Sequence, residues 1–146
     1  MRKTITTFIA ITFFISISAV AVDNPDAPDR IGDFEIRMTP YISKINNAKS
    51  TLNTIETYYE YEKALDKELN TAYSFLIGKL KGESKIALRN SQRQWIKYRN
   101  EEFSFIEENW TRARSGSSFA LSRGAYKTSF IKQRVIQLLS YSANYL

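Results

Sequence analysis

Two polar residues interrupt the apolar stripe of a long predicted helix in the second half of the chain. The stripe recurs at steps of three and four residues, as on one face of a helix, and Gln92 and Arg99 flank Trp95 on it. On the preceding predicted helix, Asp66 and Asn70 lie one turn apart. In an antiparallel hairpin of the two helices, Asp66 is predicted to pair with Arg99. Asn70 is predicted to reach Gln92 or a backbone carbonyl.

A buried polar side chain needs a partner, because burying it alone costs about 1–3 kcal/mol. The cluster around Trp95 therefore has two interpretations. In the first, the polar pairs only fix the register of the two helices. In the second, Asp66, Gln92 and Arg99 form a patch that faces a ligand. We favour the first interpretation and keep the second as an alternative.

The chain has no histidine and no cysteine, which excludes Ser-His-Asp triads, Cys-His pairs and histidine-ligated metals. Catalysis would then depend on carboxylates, Lys, Tyr or Ser. The acidic pairs Glu101-Glu102 and Glu107-Glu108 suggest a glycosidase, because that reaction uses two carboxyl groups. Neighbouring residues on a helix point about 100° apart, however, so neither pair converges by itself. We expect a solvated face here, and no catalytic residue, metal or cofactor.

Three long helical patterns account for most of the chain. We predict helices over residues 41–80, with a possible break at Asn46 and Asn47, over 83–112 and over 119–141. No alternating strand pattern of useful length is present, and short connections between long helices favour antiparallel neighbours. The predicted fold is all-α. It is an antiparallel three-helix bundle, formed by a long helical hairpin and a C-terminal helix within residues 41–146.

The first 21 residues have the three parts of a secretory signal peptide. A positive start is followed by an apolar run and by the small residues Ala19-Val20-Ala21. We expect cleavage before Val22. Residues 22–40 contain several Pro and Asp without an apolar face, so we expect a flexible leader there.

Export also restricts the partners of the protein. Loss of Arg2 and Lys3 with the signal peptide lowers the formal net charge from +6 to +4. The protein is expected to be periplasmic or secreted, with no stable membrane span after cleavage. Nucleic acid is a poor candidate, because the protein leaves the compartment that holds it, and we expect a protein partner. The oligomeric state does not follow from the sequence.

The residues around Trp95 resemble a family signature. Leu69-Asn70 is followed by Tyr73 and by the run Gln92-Arg93-Gln94-Trp95-Ile96-Lys97-Tyr98-Arg99, which is similar to the signature of the LprI-like lysozyme inhibitors. Asp66 matches the aspartate before the Leu-Asn pair, and Arg134 and Leu138 match an Arg and a Leu of the last helix. The resemblance covers residues 52–139. It implies a small exported helical protein that binds and blocks a lysozyme-type muramidase in the envelope.

Members of that family usually carry cysteines that link their helices. In this chain, by the resemblance, Phe103 stands where one cysteine is expected and Tyr126 about where its partner would be. We expect these two aromatic side chains to lie close in space and to replace the bridge by packing. Loss of a bridge costs about 2–5 kcal/mol, so the core is expected to be well filled.

An inhibitor of a muramidase would meet a cleft that carries two carboxylates, so cations near the loops are candidate contacts. The candidate partner-facing residues are Arg112, Arg114 and Arg123 around the loop at 115–118, or Lys79, Lys81 and Lys85 at the first turn. Cations near helix ends are also ordinary solvated residues that the helix dipole favours. Animal-type lysozymes are themselves basic, so a positive inhibitor would be steered more easily to an acidic bacterial enzyme.

Three alternatives stay open at this point. The first is an immunity protein that neutralises a toxin delivered to the periplasm by a rival. The second is a carboxylate-dependent hydrolase that uses Glu101 or Glu107. The third is a structural or chaperone-like protein of the envelope.

Overall fold

The computed structural model describes residues 28–145, and every regular element in that range is helical. Five α-helices follow in chain order: α1 Arg30–Asn46, α2 Thr51–Lys79, α3 Gly82–Asn109, α4 Arg112–Ser115 and α5 Phe119–Ser142. A 3-10 turn, Gly116–Ser118, joins α4 to α5. The predicted all-α bundle is confirmed. Within the described range no helix is both long and apolar enough to cross a bilayer, and the predicted signal peptide lies outside that range.

The helix α1 corrects the expectation of a flexible leader over residues 22–40. We expected a helix to begin behind Pro40, whereas α1 begins at Arg30 and continues through Pro40. An internal proline removes one helical hydrogen bond and costs about 3 kcal/mol. Phe34 and Met38, four residues apart on α1, are both buried in the core. The free energy of burying these two side chains offsets the cost of the proline.

Ion pairs also hold α1 on its neighbours. They join Arg37 to Glu68 at 2.8 Å, Lys44 to Glu60 at 3.1 Å and Lys132 to Glu35 at 2.8 Å. The Arg37 guanidinium donates two parallel hydrogen bonds to Glu68, which is the strongest geometry for such a pair. Polar contacts of α1 with both α2 and α5 therefore add to the apolar burial.

Helices α2 and α5 form the centre of the fold, and α1 and α3 pack against this pair. The two central helices run in the same direction, since Tyr58 meets Gly124 near their starts and Phe75 and Leu139 line one cavity near their ends. The predicted hairpin of α2 and α3 is antiparallel, but α2 makes its most extensive contact with α5. Both central helices are antiparallel to α3, and they are therefore parallel to each other. The largest fully buried apolar side chains of the core are Phe34, Leu65, Leu76, Ile131, Val135 and Leu138.

Candidate functional site

Trp95 on α3 lies at the centre of a cluster of aromatic and guanidinium groups. Its ring stacks on Phe130 of α5, with the ring centroids 5.6 Å apart. The guanidinium carbon of Arg99 is 5.6 Å from the Trp95 ring centroid, and that of Arg134 is 5.8 Å from it. Cations within about 6 Å of an indole ring are attracted to its face. Trp95 is half-buried against the core, so the cluster joins α3 to α5.

The predicted contact between Asp66 and Arg99 is present. Arg99 Nη1 lies 3.3 Å from Asp66 Oδ1 and links α3 to α2. The Asp66 side chain is 44% exposed and that of Arg99 is 23% exposed, and Arg99 also donates to the neighbouring Asn100. Water screens a pair of this kind, so its contribution to stability is expected to be at most about 1 kcal/mol.

Gln92 pairs with an arginine that our sequence reasoning did not place in the cluster. Arg134 Nε donates to Gln92 Oε1 at 3.1 Å, and both residues are buried. Arg134 Nη2 donates to Ser91 Oγ at 3.2 Å, and Nη1 donates to Gln137. Arg134 could have been identified from the sequence, because it lies on the inward apolar stripe of α5. That stripe contains Ile131, Arg134, Val135 and Leu138.

The Arg134 guanidinium has no carboxylate partner among the described residues. Neutral oxygens accept its hydrogen bonds, and its exposed fraction is only 7%. Burial lowers the pKa of Arg134 from its usual value, because desolvation penalises the charged form. The group stays charged at neutral pH, and a buried charge without a counter-charge is costly. Arg134 is therefore the most unusual side chain of the cluster.

Asn70 does not belong to the cluster, contrary to our expectation. Its side chain is exposed, and it has no hydrogen-bond partner among the described residues. Leu69, the residue before it, is buried. Asn70 lies one turn beyond Asp66 on α2, but its side chain remains in solvent and does not extend the Asp66–Arg99 contact.

The carboxylates of α2 and α3 lie in different surroundings. Burial raises the pKa of Glu62, against the opposing attraction of Lys127. A hydrogen bond from Lys127 at 2.6 Å holds the pKa of Glu107 below its usual range. Lys127 thus acts on both carboxylates, while Glu101 and Glu108 are exposed. Among the described residues, no group of three or more His, Cys, Asp or Glu could hold a metal ion.

The three arginines that we considered partner-facing have different positions. Arg123 is half-buried and donates to the backbone carbonyl oxygens of Trp110 and Glu107, at 2.7 and 2.5 Å. It therefore satisfies the C-terminal end of α3, which carries partial negative charge. Arg112 and Arg114 are exposed. Arg114 Nη1 also donates to the backbone oxygen of Glu108, at 3.3 Å. Arg112 and Arg114 stay candidates for contact with a partner, whereas the Arg123 guanidinium is engaged within the protein.

Aromatic contacts join α3 to α5 near the positions where the family resemblance would place cysteines. Phe103 packs edge-on against Phe130, with centroids 6.2 Å apart, and Tyr126 stacks on Trp110 at 5.4 Å. Among the aromatic pairs of the described residues, Phe103 and Tyr126 are not paired with each other. Each instead contacts an aromatic residue of the opposite helix, so two contacts take the place of one bridge.

The fold and the cluster define a small all-helical domain whose helices are joined by aromatic and guanidinium groups. Comparison with known families gives a match over residues 44–138 to the family described as lysozyme inhibitor LprI. The match spans α2 and α3 and most of α5, and the chain belongs to this family, whose members are inhibitor proteins and not enzymes. Neither the curated proteins nor the solved structures that were searched gave a match.

Proposed function

We propose that this protein is exported and inhibits a lysozyme-type peptidoglycan hydrolase by binding to it. The observation that carries the proposal is the family match over residues 44–138. The predicted signal peptide supports export to the envelope, where such enzymes act. The half-buried contacts of Trp95 on α3 and α5 support a structural role for the polar cluster, so the binding residues are expected on the surface.

The surface that fits a basic lysozyme is an acidic–aromatic face on the C-terminal half of α3, formed by Tyr98, Glu101, Phe105 and Glu108. These residues recur at steps of three, four and three, so they share one side of the helix. All four are exposed, Phe105 to 62% and Tyr98 to 56%. Exposed aromatic residues are frequent anchors of protein interfaces, and the two carboxylates complement a basic partner.

A protein with a positive net charge is not expected to be steered to a basic lysozyme. The acidic–aromatic face is locally negative and removes this difficulty. Residues 100–109 of α3 contain four glutamates and no Lys or Arg. Local charge steers association more than net charge does when a partner approaches one end of the molecule. An animal-type lysozyme, which is basic, would be attracted to this end of α3.

The test measures inhibition of a basic animal-type lysozyme and of an acidic bacterial muramidase on a cell-wall suspension. Phe105→Ala is expected to weaken inhibition of the basic enzyme about 10-fold or more. Glu101→Lys is expected to slow association, most strongly at low salt. Tyr59→Ala is the control, because Tyr59 on α2 is also 62% exposed.

The outcomes separate the function from the face. If the protein inhibits neither enzyme, inhibition of lysozymes is wrong, and protection of cells from a delivered toxin would support the immunity alternative. If Phe105→Ala inhibits normally while Arg112→Ala with Arg114→Ala does not, the function stands and the contact lies at the basic loop.

A further inference from the structure

A ridge of five cations begins at Lys81, the N-cap residue of α3, and continues along the N-terminal half of the helix. Lys81, Lys85, Arg89, Arg93 and Lys97 recur at four-residue intervals, which places neighbouring members one turn apart. At 1.5 Å per residue, this basic ridge is about 24 Å long. None of its members forms an ion pair with a described residue.

Helix stability does not explain the basic ridge. Like charges four residues apart destabilise a helix, and Lys85, Arg89, Arg93 and Lys97 form three such pairs in succession within α3. Lys81 and Lys85 lie near the start of α3, the end at which the helix dipole disfavours cations. The only acidic residue of α3 before Asn100 is Glu83. An arrangement that costs stability and leaves its charges unpaired is suited to an anionic partner outside the molecule.

Two exposed isoleucines lie on the same side of α3 as the basic ridge. Ile86 is 56% exposed and Ile96 is 40% exposed, and the order Ile86, Arg89, Arg93, Ile96 has steps of three, four and three. Helices that lie in a membrane surface keep Lys and Arg at the headgroups and bury apolar side chains beside them; here two isoleucines accompany five cations, so charge is expected to supply most of the attraction. The long stems of Lys and Arg allow their charges to reach headgroups while their methylenes stay in apolar surroundings.

We propose that the basic ridge with Ile86 and Ile96 is a docking face for an anionic lipid bilayer, on which α3 lies along the headgroups. A protein partner is the less suitable occupant, because interface anchors are commonly Trp, Tyr or Arg, and on this side of the helix the arginines stand among lysines and isoleucines without any Trp or Tyr. The aromatic residues of α3 that could serve a protein partner belong to its other half. The inference goes beyond the proposed function and does not depend on it.

The first experiment measures co-sedimentation of the purified protein with vesicles of phosphatidylglycerol and phosphatidylcholine, and with phosphatidylcholine alone. The variant Arg89→Gln, Arg93→Gln, Lys97→Gln is expected to bind anionic vesicles about 100-fold more weakly, since each cation at an anionic surface contributes about a factor of five. The control, Lys49→Gln, Lys63→Gln, Lys67→Gln, removes the same charge from exposed residues outside the ridge. It is expected to bind within a few-fold of the native protein.

The second experiment reports whether the isoleucines enter the lipid surface. The chain has no cysteine, so Ile96→Cys and Ile36→Cys each give one labelling site for a polarity-sensitive fluorophore. Ile36 on α1 is 71% exposed and serves as the control. Anionic vesicles are expected to shift the emission to the blue at position 96 and not at position 36.

Three results would overturn the proposal: native protein that stays in solution with anionic vesicles, equal losses in the two triple variants, or a label at position 96 that remains in water while the protein is bound. The third result, together with equally tight binding to soluble polyglutamate, would point to an acidic macromolecule as the partner. Because no muramidase is present, these results are independent of whether the protein inhibits lysozyme.

Discussion

Tyr58 of α2 packs directly against Gly124 of α5, so that a Cβ at position 124 would lie 2.5 Å from Tyr58 Cγ. This contact sets how closely the two central helices approach near their starts. A glycine in a helix costs about 1 kcal/mol relative to alanine. Here the packing of Tyr58 against the backbone of position 124 offsets this cost, and no larger residue would fit under the tyrosine ring.

Gly124→Ala is therefore expected to lower the free energy of unfolding by about 1–2 kcal/mol, although alanine is the better helix former. The overlap with Tyr58 outweighs the gain in helix propensity. Gly78→Ala on α2 is the control, since no atom lies within 4 Å of a Cβ there. Its stability in urea denaturation is expected to be unchanged or raised by up to about 1 kcal/mol, and an equal gain in both variants would contradict the close contact.

Arg134→Ala is expected to lower the free energy of unfolding by about 2–4 kcal/mol, because it leaves a cavity and an unpaired buried Gln92. The double variant Gln92→Leu, Arg134→Met removes both polar partners and fills a similar volume. It is expected to be at least as stable as the native protein. Chemical denaturation of the native, single and double variants measures this. A double variant less stable than Arg134→Ala would show that the buried charge is favourable in itself.

The Asp66–Arg99 pair is expected to contribute at most about 1 kcal/mol in a double-mutant cycle with alanine. Arg99→Ala should therefore have a small effect through this pair, and any larger loss would come from its packing on Trp95. The bidentate pair of Arg37 and Glu68 is expected to show the larger coupling energy. Equal coupling energies for the two pairs would argue against this ranking by geometry.

The helix α3 is expected to open before the central helices. Only Leu88, Gln92 and Ile106 are buried among its 28 residues, and regions with few buried contacts open at low free energy. Hydrogen exchange followed by mass spectrometry should give faster exchange in α3 than in α2 or α5. Trp95→Ala should accelerate exchange in α3 while the middle of α2 keeps its protection, and uniform exchange in all three helices would be inconsistent with this packing.

Stability should respond to pH in opposite directions when Glu62 and Glu107 are replaced by Gln. Burial raises the pKa of Glu62, so its ionisation costs stability at neutral pH, and Glu62→Gln should be more stable than the native protein at pH 7. The hydrogen bond with Lys127 lowers the pKa of Glu107, so Glu107→Gln should be less stable at pH 7. The difference at Glu62 should disappear as the pH falls below the usual glutamate value of 4.5, and the difference at Glu107 should disappear at still lower pH, as the pH falls through its lowered folded-state pKa. Thermal unfolding at pH 7 and pH 3.5 tests the two signs together.

Apolar periodicity predicted α3, α5 and the end of α2 within a few residues, because each has a repeated inward face. The possible break at Asn46 and Asn47 is the end of α1, so α2 begins ten residues after the predicted start at 41. The helix α1 was missed because Pro40 suggested a helix start, while the signal of Phe34 and Met38 lay before it. The Asp66–Arg99 contact followed from their nearly equal distances to the turn. The Arg134–Gln92 contact could not be predicted in this way, because these residues are 42 positions apart and meet only through the packing of α3 on α5. Periodicity identifies the buried face of a helix, but it does not show which other helix packs against that face.

The aromatic contacts between α3 and α5 free the fold from any dependence on oxidation. A protein whose helices are tied by cystine needs an oxidant during folding and unfolds readily in reductant, whereas Trp110 on Tyr126 and Phe103 on Phe130 pack in any redox state. Native protein should therefore form in a reducing cytoplasm and withstand dithiothreitol. In an envelope without thiol oxidases, this chain would still reach its native state unaided.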